Sequence, residues 1–534
     1  MIGDSRTSRT PDAARSQAAP ADLTGRSRMA RNVLASWAGH FVFIVAGFIL
    51  PRVIDGRLGP SALGVWDFSW ALVAYFGLVQ GGIVSSVNRY VAKCRATGDI
   101  EGVNRVASSV TLLLAIAATV VVLVTVAATL AMPRLLTAQL GEHMRQARWV
   151  VGLLGASLAI QVAFSAFGGV LTGCHRWDLH NAIHAGSYAA TVAAMIVALA
   201  FGYGLRSLAA ASLAGEVVGR LVRVLVAYRV CPGLSVCLAH VDWPTMRRML
   251  TFGGKSSVPT VANLILNQTT SILIVGYLGP ATLALYARPM ALIRHLQTLV
   301  IKYAFVFTPT ASSLQALEDR DQLRELLILA TRYAACLTLP AVAFLTIFGG
   351  PLLVLWMGPD YAQPKLLAIL ALGFASAIIA QPIISVLVGL NAHGWPGLAN
   401  LLAAVCAVGA VLVVLGVFHG GLIGAAAAVV IPLMLANAIF VPIYACRRVG
   451  LSISSFARRA LGEPFLYVIP FVVCLIGVRV AFKLTPLGQL VTAALLGTAS
   501  LAPIYWMGVV PPTLKARIIG RFRWARRQPV ASDS

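Results

Sequence analysis

Four cations fall inside one stretch apolar enough to cross a bilayer: Arg288, Arg294, His295 and Lys302, all within residues 281–310. An ionisable group at the centre of a membrane helix costs about 2.5–3.5 kcal/mol on insertion scales, so such groups face water or a partner. Arg288, His295 and Lys302 are spaced seven apart. At 100° per residue they drift only about 20° per step, which makes one stripe roughly 21 Å long with Arg294 at its flank. Such a column suits anionic oxygens, which it can meet by charge and by hydrogen bond. Lys302 is close enough to one end of the span to snorkel, and Arg288 could reach the opposite surface in the same way. No acid stands in the same span or in the loop before it, so Arg288 is expected to line a hydrated cavity. Pro289 removes a backbone donor and should kink the helix.

Other polar groups sit in neighbouring spans. Asn267 and Gln268 lie deep in the preceding span, with Lys255 at its mouth. The amides can bind sugar hydroxyls or hydrogen-bond between helices. Glu216 and Arg220 are four residues apart, a spacing that makes either a structural ion pair or an ion-coupling carboxylate. Asp67, near one end of the second span, is either solvated at the surface or a second ion-coupling candidate. Arg52, Asp55 and Arg57 at the end of the first span either close an exit or are merely solvated, and His40 is expected to pack. Nothing matches GxxxxGK[ST], HExxH or GxSxG, so no ATP site and no hydrolase nucleophile is expected. The eight cysteines form no metal-type cluster, and no metal, cofactor or structural disulfide is expected.

These residues must be positioned by membrane helices. The chain has 534 residues, of which 59% are hydrophobic and only 11% charged, an apolar excess that excludes an ordinary soluble domain. About fourteen stretches reach the length of roughly 20 apolar residues that a span requires, predicting an all-α integral membrane protein with short loops. The net charge of +24 sits between spans and in the tails, so membrane lipids rather than nucleic acid are the expected partner. Lys and Arg in alternate loops number 17 against 9, and each tail adds six to the richer side, which places both termini in the cytoplasm.

The chain also repeats itself. Leu58-Gly59-Pro60-Ser61-Ala62-Leu63 recurs as Leu278-Gly279-Pro280-Ala281-Thr282-Leu283 at an offset of 220. Val170-Leu171-Thr172-Gly173 recurs as Val386-Leu387-Val388-Gly389, and Gly204-Leu205 as Gly421-Leu422, at offsets of 216 and 217. This predicts two parallel six-helix lobes with a binding site between them. The expected divisions are a basic tail at 1–30, a first lobe at 31–228, a link at 229–254, a second lobe at 255–446, two extra helices at 464–510 and a second basic tail at 511–534. At the 220 offset the cation column corresponds to Phe68, Tyr75 and Gly82, so the column has no counterpart in the first lobe.

The paired LGPxxL turns at Leu58 and Leu278, the segment Ser86-Val87-Asn88-Arg89-Tyr90-Val91, the segment Trp356-Met357-Gly358-Pro359-Asp360-Tyr361 and the span number resemble the polysaccharide transporter or oligosaccharide flippase family. That family belongs to the superfamily that also holds multidrug and toxin extruders. The resemblance, over about residues 30–510, implies two lobes around a cavity with alternating access. It implies an undecaprenyl-pyrophosphate-linked repeat unit of O-antigen or exopolysaccharide as cargo, moved from the cytoplasmic to the periplasmic leaflet of the bacterial inner membrane. On that expectation Arg288, Arg294, His295 and Lys302 hold the anionic oligosaccharide lipid, Lys255 guides entry, and Asn267 and Gln268 meet the sugar. H+ or Na+ would be the coupling ion, and polysaccharide polymerase and export proteins would be partners. The competing expectations are a cation-coupled multidrug exporter and a peptidoglycan-precursor flippase; the latter usually has cavity arginines in its first two spans, where this chain has only Arg31, Arg52 and Arg89 near the ends.

Overall fold

A computed structural model of the chain describes residues 29–80, 83–256, 258–482, 484–510 and 515–516. The expected basic tails fall almost wholly outside these residues. Within them the chain is helical with no strand, which is what a lipid environment demands, since each backbone donor and acceptor must be satisfied inside its own segment. In order, the main helices are α1 (Met29–Phe76), α2 (Ile83–Ala96), α3 (Ile100–Leu135), α4 (Met144–Ala163), α5 (Ser165–Gly173), α6 (Trp177–Ala200) and α7 (Leu205–Val230) in the first half. The second half holds α8 (Trp243–Ser256), α9 (Val258–Leu264), α10 (Thr270–Leu278), α11 (Pro280–Ala304), α12 (Phe307–Ala316), α13 (Arg320–Met357), α14 (Pro364–Ile379), α15 (Gln381–Gly389), α16 (Gly394–Gly416), α17 (Gly421–Met434) and α18 (Val441–Val449). Two last helices, α19 (Glu463–Ala481) and α20 (Pro486–Gly508), pack on α13 around Phe348, Phe471 and Leu475.

Twelve helices among the described residues are long and apolar enough to cross a membrane. The expected fourteen differs for two physical reasons. Helix α1 runs through a break at Gly59 and contains two spans in one element. Helix α7 carries Arg206, Glu216, Arg220, Arg223 and Arg229, too many charges to rank as apolar although it is 26 residues long.

The repeat is a repeat of backbone. Gly59 adopts φ 83°, ψ 171° and Gly279 φ 83°, ψ 168°, each followed by a proline that opens the next helix. That conformation is essentially restricted to glycine. Three further turns pair at spacings of 216 to 220 residues. Gly98 and Glu318 both have positive φ and precede Asp99 and Asp319, whose carboxylates cap α3 and α13 by accepting from the Gly102 and Gln322 amides. His175 pairs with Asn391, and Gly202 with His419, again at positive φ. Helices α5 and α15 share both end points at an offset of 216.

The halves also differ in backbone. Among the described residues the second half, unlike the first, contains two π-helical turns, Ile265–Thr269 between α9 and α10 and Leu435–Phe440 between α17 and α18. Such bulges are frequent at functional sites because they re-aim a side chain without ending the helix.

Candidate functional site

The two halves meet along α1 and α11. At the face of the Gly59 and Gly279 turns their backbones nearly touch: a Cβ added to Gly64 would lie 1.7 Å from the Pro280 carbonyl oxygen. Four further contacts tie the halves together there. Arg288 pairs with Asp67, Arg52 Nη1 donates to the Trp356 carbonyl at 2.9 Å, Trp356 Nε1 donates to the Phe48 carbonyl at 2.7 Å, and Tyr361 Oη donates to Asp55 Oδ1 at 2.6 Å. Deeper in the bundle Tyr75 bonds Thr269 and, at 3.2 Å, the Leu264 carbonyl. Arg52 and Asp55 are thus bonded across the two halves rather than merely solvated, while Arg57 is exposed.

The cation column divides. Arg288 is buried, its side chain 5% exposed, and is neutralised by an acid from the other half of the chain. This corrects two expectations: Arg288 is not a free cation lining a cavity, and Asp67 is not solvated at the surface. Arg294, over one and a half turns on, is not covered by other side chains and is within Coulombic reach of Tyr286, Asp67 and Arg288. His295 stacks on Phe48 with ring centroids 5.4 Å apart, and Lys302 lies 5.0 Å from the centre of the Trp37 ring. His40, expected merely to pack, lies close enough to both His295 and Lys302 to feel their charge. Phe68 is fully buried, and Tyr75 packs against the core while its hydroxyl bonds Thr269 and the Leu264 carbonyl. The side chain of Lys255 lies outside the described residues.

Each half encloses a polar cavity, and the two are built from corresponding positions. In the second half α9, the first π turn and α11 face α14 to α17 and the second π turn around about 350 Å³. Asn267, Gln297, Gln381, Asn400 and Asn437 line it, and Asn437 Nδ2 donates to Asn400 Oδ1 at 2.9 Å. Gln268 is half-buried and does not line it. In the first half two joined cavities of about 180 and 410 Å³ share His184, Arg220 and Arg223. Arg220 pairs with Glu216 on its own helix face. At the repeat offsets, Arg220 corresponds to Asn437 and His184 to Asn400. One position pair is thus amide and amide in one half, imidazole and guanidinium in the other.

Sequence reasoning missed Arg223, His180 and His184. Their signal was present: Glu216, Arg220 and Arg223 repeat at i, i+4, i+7 on α7, and His180 and His184 at i, i+4 on α6. It did not show which helices those faces meet. The pairing of Asp67 with Arg288 crosses 221 positions and left no local trace.

Comparison with known proteins agrees with this architecture. The profile of a family described as polysaccharide biosynthesis protein matches residues 111–364. A relative from Bacillus subtilis (strain 168), named "Uncharacterized membrane protein EpsK", is 23% identical over 452 residues, covering 83% of this chain and 88% of its own. A second, from Shigella flexneri and named "Putative O-antigen transporter", is 22% identical over 322 residues, 59% of this chain and 74% of its own. Among solved structures, an inward-facing multidrug resistance MATE family transporter superposes with TM-score 0.67 at 17% identity, covering 77% of this chain and 95% of its own. The lipid II flippase MurJ in an inward closed conformation gives 0.66 at 14% identity, covering 89% and 99%.

Proposed function

We infer that this chain, a polysaccharide transporter or flippase of the MOP superfamily rather than an enzyme, moves an undecaprenyl-pyrophosphate-linked oligosaccharide repeat unit across the membrane by alternating access. The observation that carries the reading is the second-half cavity. Its uncharged amides suit sugar hydroxyls, and the helix that supplies Gln297 to it, α11, also presents Arg294, His295 and Lys302 along the seam between the halves. A diphosphate tethered to a lipid has to travel along a seam, because its tail stays in the bilayer. The seam cations would hold it by charge-assisted hydrogen bonds, while Asn267 meets the glycan.

The closed contacts at the Gly59 face give the gate. Arg52, Asp55, Asp67 and Arg288 would release their partners when that face opens, and the halves would rock as units. A cation-coupled drug exporter is less well supported, because Asp67 and Glu216 are each already held by an arginine. The test is polysaccharide export in cells carrying R294A with K302A. At normal expression, export is expected to fall at least tenfold; export at the wild-type rate would remove the seam cations from the cargo site.

A further inference from the structure

The first-half cavity has no role in the seam mechanism, yet it holds the most unusual chemistry in the molecule. Arg223 is 4% exposed and Arg220 8% exposed, two guanidinium groups on one face of α7 against a single carboxylate, Glu216. Among the described residues the buried Arg223 Nε, His180 Nδ1 and Ser212 Oγ have no hydrogen-bond partner. Buried polar groups are nearly always satisfied, so unpartnered groups lining one cavity, with Arg223 Nε able only to donate, point to an absent partner that accepts from the arginine. The fold makes room for them: a Cβ at Gly168 would approach His180 Cε1 to 3.2 Å and Arg223 Cδ to 3.6 Å. Trp66, Trp70 and Trp177 wall the cavity and Gln80, Asn88, Gln161 and Thr172 supply neutral donors and acceptors.

We propose that this cavity binds the carboxylate of an acidic sugar, with Arg223 and Arg220 as the anion-holding pair and Glu216 as an internal competitor that the incoming carboxylate displaces from Arg220. The inference rests on the flippase reading and narrows its cargo to a glycan that carries a sugar acid. Two arginines against one carboxylate leave one positive charge, which matches a single carboxylate better than a diphosphate. Location supports the same choice. The lining comes entirely from α1 to α7 and the turn at Gly77–Gln80 and includes none of the seam cations Arg294, His295 and Lys302, so the cavity lies inside the first half rather than between the halves, where a lipid-tethered diphosphate must pass. The tryptophan faces can stack on the apolar side of a sugar ring, and a planar guanidinium pairs with a carboxylate in a two-bonded fork. The amide cavity at the corresponding place in the other half takes neutral residues of the same glycan, so the duplicated cavities divide a charged ring from uncharged ones.

The test is calorimetric titration of the purified chain with methyl glucuronide, methyl glucoside and inorganic pyrophosphate. Methyl glucuronide should bind at least tenfold more tightly than methyl glucoside. R223Q should abolish that preference, R223K should restore part of it, and E216Q should tighten glucuronide binding by threefold or more, because the competitor is gone. The opposite signs of R223Q and E216Q separate a binding role from a structural one. If R223Q fails to fold, the wild-type preference and E216Q still decide. Equal binding of the two glycosides, or an E216Q protein that binds glucuronide no better, overturns the proposal. Pyrophosphate binding that exceeds glucuronide and responds to R223Q overturns it in favour of the lipid head group. The flippase reading fails on a different result, wild-type export with R294A and K302A, so the two failures are distinguishable.

Discussion

Asp67 and Arg288 neutralise each other across the seam, and each is expensive to leave alone. Removing one partner of a fully buried pair costs about 3–5 kcal/mol. The cost should fall toward the lower end here because the Asp67 side chain is 21% exposed. Thermal unfolding in detergent should therefore show D67A less stable than wild type. The exchanged pair D67R with R288D should recover part of the loss, and no recovery would mean that the pair is not an energetic unit. Arg223 illustrates why the cavity was hard to read in advance. A sequence shows that two arginines share a helix face, but not that the face is turned inward toward His180 and His184. Asn267 was legible because an amide in an apolar span needs a partner wherever it points. Arg288 was misread for the same reason that it was noticed: its acid lies in the other half of the chain.

At the level of elements, glycine positions decide how the helices meet. Gly64 lets α1 approach the Pro280 carbonyl, and a methyl group there has backbone on its far side and no room to yield. G64A should loosen the seam, lowering the melting temperature and raising the reactivity of cysteines placed along Gly59-face contacts. An unchanged melting temperature would show that the approach is not tight in solution. At Gly59 and Gly279 any side chain is strained, at about 1–3 kcal/mol each, so G59A and G279A should destabilise by similar amounts. Helix α8 is held differently. Asp242 accepts from the Thr245 amide at 2.9 Å and from Thr245 Oγ1 at 2.5 Å, and these bonds hold its carboxyl below the ordinary carboxylate range. A depressed carboxylate stabilises the folded state above its ordinary titration range and loses that contribution as pH falls through the depressed value. Hydrogen exchange at the start of α8 should be faster in D242A at neutral pH, and the two proteins should converge in acid. The helices and the paired turns at Gly59 and Gly279 were legible because hydrophobic length and glycine-proline chemistry are local. The matching turns at Glu318 and His419 were not, because a residue forced to positive φ by its neighbours has no glycine to announce it.

For the whole molecule, the direction of the proposed gate is a prediction from the distribution of Lys and Arg. Under the positive-inside rule the Gly59 face would lie outside and the 229–254 link in the cytoplasm. In intact cells, in a background without the exposed Cys237 and Cys406, a membrane-impermeant thiol reagent should label R57C. It should leave T97C untouched until the membrane is permeabilised. The reverse pattern would invert the topology and make the closed face the cytoplasmic one. Cross-linking cysteines at 55 and 361 should hold that face shut and stop export, and reduction should restore it.

The four turns that recur at spacings of 216 to 220 residues work as a ruler. Because turn geometry has been kept while cavity linings have diverged, any lining position in one half can be located in the other by counting from the nearest shared turn. Applied to a related chain for which only the sequence is known, the count leads to the partners of His184 and Arg220 directly. The residue types found there would say whether that protein's cargo is charged at one end, at both, or at neither.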